Sequence, residues 1–443
     1  MKPNNDLTQG PVTSHLFRMT VPMIFGMLSM VLFNLVDTFF VARLGTVELA
    51  AMGFTLPVVM FITGIALGLG VATASVVSRA IGVGDINQVR RLTTHSLMIS
   101  LFSVIVFSAL GLLTLDPVFK ALGATPEILP FIKRYMVTWY IGAVFVVIPM
   151  VGNNAIRACG DTFYPGLIMV ISTLINIVLD PLLIFGWGWF PRLTLQGAAL
   201  ATVIARASSF VFSILILYFR EKLIILALPK WSQLIDSAKR ILYIAVPSSF
   251  ANILLPLGMA VITRLVAGFG PRAVAALGAA MRIEMFVFIL VMALSTALVP
   301  FIGQNWGAGK LDRVKTSVIL TNKFSLLWGV CNFVLILVLA EFLGNTFSQD
   351  ILVSVTITHY LLIRSLGYGL RSIAMITSSV FDAVNKPFYS SFLSITRVFV
   401  LSVPFAYLGS VFGGLIGIFA GLLFADIVAG IISIVVGSKR LLI

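Results

Sequence analysis

VSRAIGVGDINQVRR at Val77–Arg91 and IGQNWGAGKLDRVKT at Ile302–Thr316 lie 225 positions apart, and each is an apolar helix end, a Gly-x-Gly turn and a basic restart. The same spacing relates Val21-Pro22 to Val246-Pro247, Gly45 to Gly270, Gly53 to Gly278 and Phe163-Tyr164 to Phe388-Tyr389, with no gap between the first pair and the last. Apolar residues coincide by chance in any oily sequence. Glycines and charged loop residues at one constant offset do not, so the chain is read as a duplication.

The repeated material is apolar throughout. Hydrophobic residues make up 59% of the 443, charged residues 10%, and the mean hydropathy is +1.09. A water-soluble chain of this length needs far more charge to cover its surface. Apolar runs of about 20 residues, enough to cross a hydrocarbon core, recur along the chain. The spans must be helices, because lipid offers no partner for free backbone groups and the short alternating strands of a membrane barrel are not seen.

The segmentation gives an all-α polytopic membrane protein of twelve transmembrane helices. The first six run near 15–42, 50–78, 92–115, 130–154, 163–188 and 195–219. The second six run near 238–267, 273–302, 317–342, 354–380, 388–409 and 412–437. The expected organisation is therefore a tail (1–14), an N-lobe (15–219), a connector (220–237), a C-lobe (238–437) and a second tail (438–443). An even number of spans per half makes this a parallel repeat, two pseudo-symmetric six-helix lobes around an axis along the membrane normal.

The net charge of +14 is carried mostly by short loops. Arg90, Arg91, Arg220, Lys222, Lys239, Lys310 and Lys386 fall on the side of both termini, and fewer bases fall opposite. That is the positive-inside pattern; it makes both termini cytoplasmic and argues against nucleic-acid binding. Cys159 and Cys331 are far apart and offer neither a disulfide framework nor zinc spacing. The polar opening MKPNNDLTQGPVTS is unlike a cleaved signal peptide.

Four acids fall inside apolar spans: Asp37, Asp180, Glu284 and Asp426. Buried carboxylates in a bilayer are costly and usually carry function. Met19, Met23, Met27, Met30, Asn34 and Asp37 form one stripe down the first span, which suggests a polar pocket at its end or a helix-packing seam. Thioethers on that stripe can line an adaptable apolar surface, and Pro22 weakens the helix among them. In the fifth span Thr173, Asn176 and Asp180 share a face, with Pro181 following. In the second half Ile262, Leu401 and Phe405 stand where Asp37, Asn176 and Asp180 stand in the first. The polar chemistry therefore belongs to the N-lobe.

Two buried acids close together do not both ionise easily, so one can carry a proton. The same oxygens can hold a desolvated Na⁺. Both ions stay open on these residues alone. Glu284 and Asp426 are read mainly as charges paired within a lobe, with Arg282, Arg206 or Arg264 as partners.

Val21-Pro22 ahead of a span ending in Asp37, the two Gly-x-Gly loops, RACGD at Arg157–Asp161 and LINIVLDP around Asn176–Asp180 resemble the multidrug and toxic compound extrusion (MATE) transporters, most closely the prokaryotic DNA-damage-inducible branch. The resemblance covers nearly the whole chain. It implies an antiporter, acting as a monomer in the cytoplasmic membrane, that exports amphipathic drugs or toxic organic cations against inward H⁺ or Na⁺ and needs no cofactor. It implies a coupling network of Asp37, Asn176 and Asp180, joined by Thr202 and by a tyrosine of the fourth span, Tyr140 in preference to Tyr135. These side chains would hold any Na⁺. Pro22 matches a proline at which the first helix is expected to bend, and Asn34, Met27, Met30 and Glu284 are candidate cargo or gating residues. The other bacterial branch carries acids in the seventh and tenth spans, which 238–267 and 354–380 lack. The alternatives are a lipid-linked precursor flippase and, from another class, an intramembrane enzyme such as a prenyltransferase. The latter would need acid-rich or histidine motifs that His15, His95 and His359 do not supply.

Overall fold

The computed structural model describes residues 6–227 and 230–441; residues 1–5 and 442–443 of the two tails and 228–229 of the connector lie outside the described residues. Helices account for every regular element among them. The N-lobe contains α1 (Val12–Ala42), α2 (Thr46–Val83), α3 (Ile86–Leu113), the short α4 (Leu115–Ala121), α5 (Leu129–Ala158), α6 (Phe163–Phe185) and α7 (Leu195–Leu215), which runs on in π-helical form from Ile216 to Arg220. The C-lobe contains α8 (Trp231–Ala267), α9 (Pro271–Gly307), α10 (Leu311–Phe347), α11 (Ile351–Ser365), α12 (Tyr368–Ala383), α13 (Pro387–Ile395) and α14 (Val403–Leu441), with a π-helical stretch, Thr396–Ser402, between the last two.

Ten continuous helical segments are long and apolar enough to cross a membrane, and α11 with α12 forms one more, bent by 60°. The last segment, Pro387–Arg440, has 54 residues. At 1.5 Å per residue it would be about 80 Å long, more than twice the hydrocarbon thickness. It is two spans. Gly413 and Gly414 leave helical geometry, Gly414 at a φ of +57°, and the chain turns back on itself there. Beyond the turn Gly417 meets Gly409 and Gly421 meets the Phe405 carbonyl so closely that a Cβ would not fit. The total is twelve spans in two lobes, as the duplication requires. The helix of the seventh span begins at Trp231, inside the stretch read as connector, and that of the tenth runs to Ala383 rather than 380.

The lobes join on the face that carries the chain ends. There α2 crosses α9 where the quoted repeat motifs lie. A Cβ on Gly82 would collide with the Gln304 carbonyl, and one on Gly307 would collide with the Arg79 carbonyl. Residues 79 and 304 are themselves one repeat apart, so the two glycines make the same contact from opposite sides. Close backbone approach at the pseudo-twofold axis accounts for the duplicated glycines. Gln304 also donates to the Ala158 carbonyl at 2.8 Å, and Ser75 Oγ donates to the Asp382 carbonyl at 2.6 Å. Further along α2 and α9 lie Gly53 and Gly278, where an added Cβ would meet nothing within 4 Å.

The segment ahead of α1 closes this face. Leu7 is fully buried in the C-lobe core. Its N–H donates to Gln304 Oε1 at 3.2 Å, and its carbonyl accepts from Arg313 at 3.0 Å and Asn305 at 3.2 Å. Lys310 Nζ donates to the Thr8 carbonyl at 2.8 Å. Residues 6–10, read as part of a polar tail, thus strap one lobe to the other.

Candidate functional site

Two parallel helices build the N-lobe site. The Pro22 carbonyl lies against Gly166, Thr173 Oγ1 donates to the Ser29 carbonyl at 3.1 Å, and the rings of Phe40 and Phe185 lie 6.1 Å apart. These pairs share an offset of 144 or 145 residues, which sets Asp37 level with Pro181 and Leu182, one residue past Asp180. The antiparallel α7 is fixed on α6 by Ser172 Oγ donating to the Ala205 carbonyl at 2.8 Å and by Gly197 against the Leu183 carbonyl. That register brings Thr202 to the height of Asn176.

All four side chains are buried: Asp37 is 6% exposed, Asn176 and Asp180 0%, and Thr202 9%. Asn176 Nδ2 donates to Asp180 Oδ1 at 3.0 Å. Three further oxygens, Asp37 Oδ1, Asp180 Oδ2 and Asn176 Oδ1, are buried with no hydrogen-bond partner among the described residues. Neither carboxylate has an ion-pair partner among them. A buried polar atom left unpaired costs about 1–3 kcal/mol. Three buried acceptor atoms on adjacent turns of α1 and α6 are thus left unpaired among the described residues.

The fourth-span tyrosine differs from the expectation. The Tyr135 hydroxyl lies within electrostatic range of both Asp37 and Asp180, whereas the Tyr140 ring packs on Gly111 of α3 and edge-on against Trp139. Five residues along a helix turn a side chain by about 140°, so the two tyrosines serve different faces. The methionine stripe also divides. Met19 and Met23 are buried and Met27 is half-buried, while Met30 and Asn34 are exposed. Asn34 donates to its own helix, at the Met30 carbonyl 3.0 Å away. It stands about 60° around α1 from Asp37, enough to leave the contact with α6. Pro22 is half-buried within an α1 that remains one helix.

Arg157–Asp161 holds the site's terminal end together. Asp161 accepts from the Phe163 and Tyr164 amides that open α6 and pairs with Arg220 at 2.6 Å. Arg157 Nη1 donates to Met23 Sδ on α1 at 3.8 Å. A cavity of about 320 Å³ lies beside Pro22, Asp161 and Arg220.

Glu284 lies in the other lobe and is paired. Arg371 donates to it at 3.0 Å, and Arg364 bridges it to Asp426 with contacts of 3.4 and 2.8 Å. Arg397 stands 3.6 Å from Asp426. The partners are thus these three arginines and not Arg282, Arg206 or Arg264; Arg206 sits over the Phe33 ring. Sequence reasoning passed over Arg364, Arg371 and Arg397 because it searched the spans for acids. It also missed Asp382, which the longer α12 includes and which accepts from Ser390 at 3.0 Å and Ser248 at 3.3 Å.

The comparisons agree with this architecture. A profile of the MatE family matches residues 22–182 and 247–408, one stretch in each lobe. A protein of Shewanella oneidensis named FAD transporter is 36% identical over 431 residues, covering 97% of this chain and 95% of its own. The multidrug export protein MepA of Staphylococcus aureus is 25% identical, with coverages of 94% and 92%. The crystal structure of a mutant of the Vibrio cholerae MATE transporter VcmN superposes with a TM-score of 0.93 at 31% identity, over 97% of each chain. A twelve-span, two-lobed chain with these matches in both halves belongs to the MatE family and is a membrane transporter, not an enzyme.

Proposed function

We propose that the protein is a secondary antiporter of the cytoplasmic membrane, both termini inside, which exports amphipathic small molecules in exchange for inward H⁺ or Na⁺ bound at Asp37, Asn176 and Asp180. The observation that carries this reading is the pair of buried carboxylates on adjacent helices, each with an unpaired oxygen and neither with an ion-pair partner among the described residues. Such a site is stable only when a cation fills it or a proton neutralises it. Tyr135 and Thr202 complete it, and all its polar members lie in the first lobe, as in the DNA-damage-inducible branch.

Coupling follows from electrostatics. An empty, doubly ionised site repels itself and drives α1 and α6 apart; a bound proton or Na⁺ removes that repulsion and lets them close. Because the opening turns of α1 also pack on the C-lobe core, a shift of this helix acts on the lobe interface. Pro22, against Gly166, is where α1 can yield without losing a backbone hydrogen bond.

For the cargo, the name of the Staphylococcus relative, a multidrug export protein, supports drugs, and the family resemblance extends this to toxic organic cations. A second reading, a flavin dinucleotide, is supported by the name of the Shewanella relative and by the arginines of the C-lobe. The deciding experiment is transport by purified protein in liposomes, with ethidium and FAD as alternative cargos, under an imposed pH gradient or an imposed Na⁺ gradient. Transport that ignores both gradients would remove the antiport reading.

A further inference from the structure

The C-lobe holds a second buried polar centre that the coupling scheme leaves unused. Glu284 on α9, Arg364 on α11, Arg371 on α12, Arg397 in the π-helical stretch and Asp426 on α14 form one chain of contacts. Three guanidinium groups face two carboxylates, so one positive charge is in excess. Among the described residues Arg364, 5% exposed, has no hydrogen bond at Nη1, Arg371 has none at Nε, and the fully buried Tyr368 hydroxyl has none. Arg364 Nε, Glu284 Oε1 and Asp426 Oδ2 are held only in ion pairs without hydrogen-bond geometry, so the network is loosely satisfied. Its one positive charge in excess, with guanidinium and hydroxyl donors left over beside it, is matched to an anion.

The backbone around the centre is built for the same charge. The tenth span breaks at Leu366–Gly367, between Arg364 and Arg371, with a bend of 60°. The 16-residue α12 therefore starts inside the apolar span beside the arginines, its first amides at the positive end of a helix dipole. Interrupted helices at this depth are where transporters place binding sites, and π-helical turns such as the one carrying Arg397 cluster at functional positions. Arg371 and Arg397 are 21% and 19% exposed, so the centre can be reached.

We infer that this centre binds the phosphate of an amphipathic phosphate ester, with Arg371 and Arg397 as the entering contacts and Arg364 and the Tyr368 hydroxyl behind them. The inference rests on the exporter reading and names its anionic cargo subsite; Arg364 remains the structural bridge and contributes only its free Nη1. A bidentate guanidinium contact to phosphate supplies both the affinity and the geometry.

The phosphate has two sources, a transported molecule and a lipid headgroup, and binding measurements separate them. The full-length protein in phosphatidylcholine nanodiscs is titrated with FAD and with riboflavin, with no gradient present. FAD is expected to bind at least about tenfold more tightly, and inorganic pyrophosphate to displace FAD while leaving riboflavin bound. Arg371→Gln and Arg397→Gln are each expected to reduce the preference for FAD by about tenfold, with Arg371→Lys intermediate. In the lipid arm, phosphatidylglycerol retained through purification by the parent protein and lost from Arg371→Gln assigns the site to headgroups. Equal affinities for FAD and riboflavin, with retained lipid unchanged by both arginine variants, overturn the proposal. Thermal unfolding of each variant reports its folding, and pyrophosphate competition on the unmodified protein tests the site without any substitution. Phosphate-dependent binding without gradient-driven transport would leave this site standing and remove the antiport reading; the reverse result would do the opposite.

Discussion

The two lobes have one backbone plan and opposite chemistry. In the N-lobe, Asp37, Asn176 and Asp180 leave acceptor atoms without donors. At the corresponding C-lobe positions Ile262 is buried and apolar and Phe405 packs edge-on against Phe424 at 4.7 Å. The C-lobe carries its charge elsewhere, in the Arg364-centred network, where arginines outnumber carboxylates. Tyr135 and Tyr360 occupy equivalent places, each beside its own lobe's charges. Arg157 touching Met23 is answered by Asp382 touching Ser248, one repeat further on, again with the sign reversed. A duplicated scaffold can thus diverge wherever the packing tolerates any buried group with a partner. It cannot diverge where backbones touch, as at Gly82 and Gly307.

Asp37→Asn should break the comparison most completely. Removing one of two buried carboxylates removes the repulsion that coupling needs, so gradient-driven export in proteoliposomes should fall to background while insertion and folding persist. Full transport by this variant would end the assignment of coupling to the N-lobe. Arg364→Ala should act on stability first. It strips one cation from two buried acids at once, and breaking such a bridge costs about 3–5 kcal/mol, readable as a lowered unfolding midpoint in detergent. An unchanged midpoint would mean that the network is hydrated and contributes little to the fold.

The interface glycines test the symmetry itself. Gly82→Val and Gly307→Val should each cost about 1–3 kcal/mol of overpacking and prevent closure of the terminal face. A cysteine placed at Ser75, now fully buried, should then react with a maleimide that does not reach it in the parent interface. Unequal exposure from the two valines would show that the lobes do not share the contact evenly. The smallest effect is assigned to the tyrosines. Tyr135→Phe should slow coupled transport several-fold through loss of one hydroxyl at the ion site, worth roughly 1 kcal/mol. Tyr140→Phe should leave the ion dependence as it is, and a result of the opposite order would return Tyr140 to the site.

Much of this was present in the sequence because the bilayer limits the choices. Length, apolar runs and the 225-residue offset determine helices, twelve spans, two parallel lobes and the half that carries the free acids, since every backbone group in lipid must bond within its own helix. The register of α1 on α6, the side of α5 that meets the acids, the break of the tenth span and the partners of Glu284 were decided only in three dimensions. Helical periodicity tells which residues share a face but not which neighbour that face meets. Tyr140, preferred on the family resemblance, and Asn34, set by spacing on the stripe that ends in Asp37, are both turned from the carboxylates by packing. The arginines gave no signal because a basic residue in a span looks like a loop end until the helix carrying it is seen to break inside the lobe. What the sequence determined was where polar groups are expensive; which of them meet, and which are left wanting a cation or an anion, depended on helices far apart in the chain coming side by side.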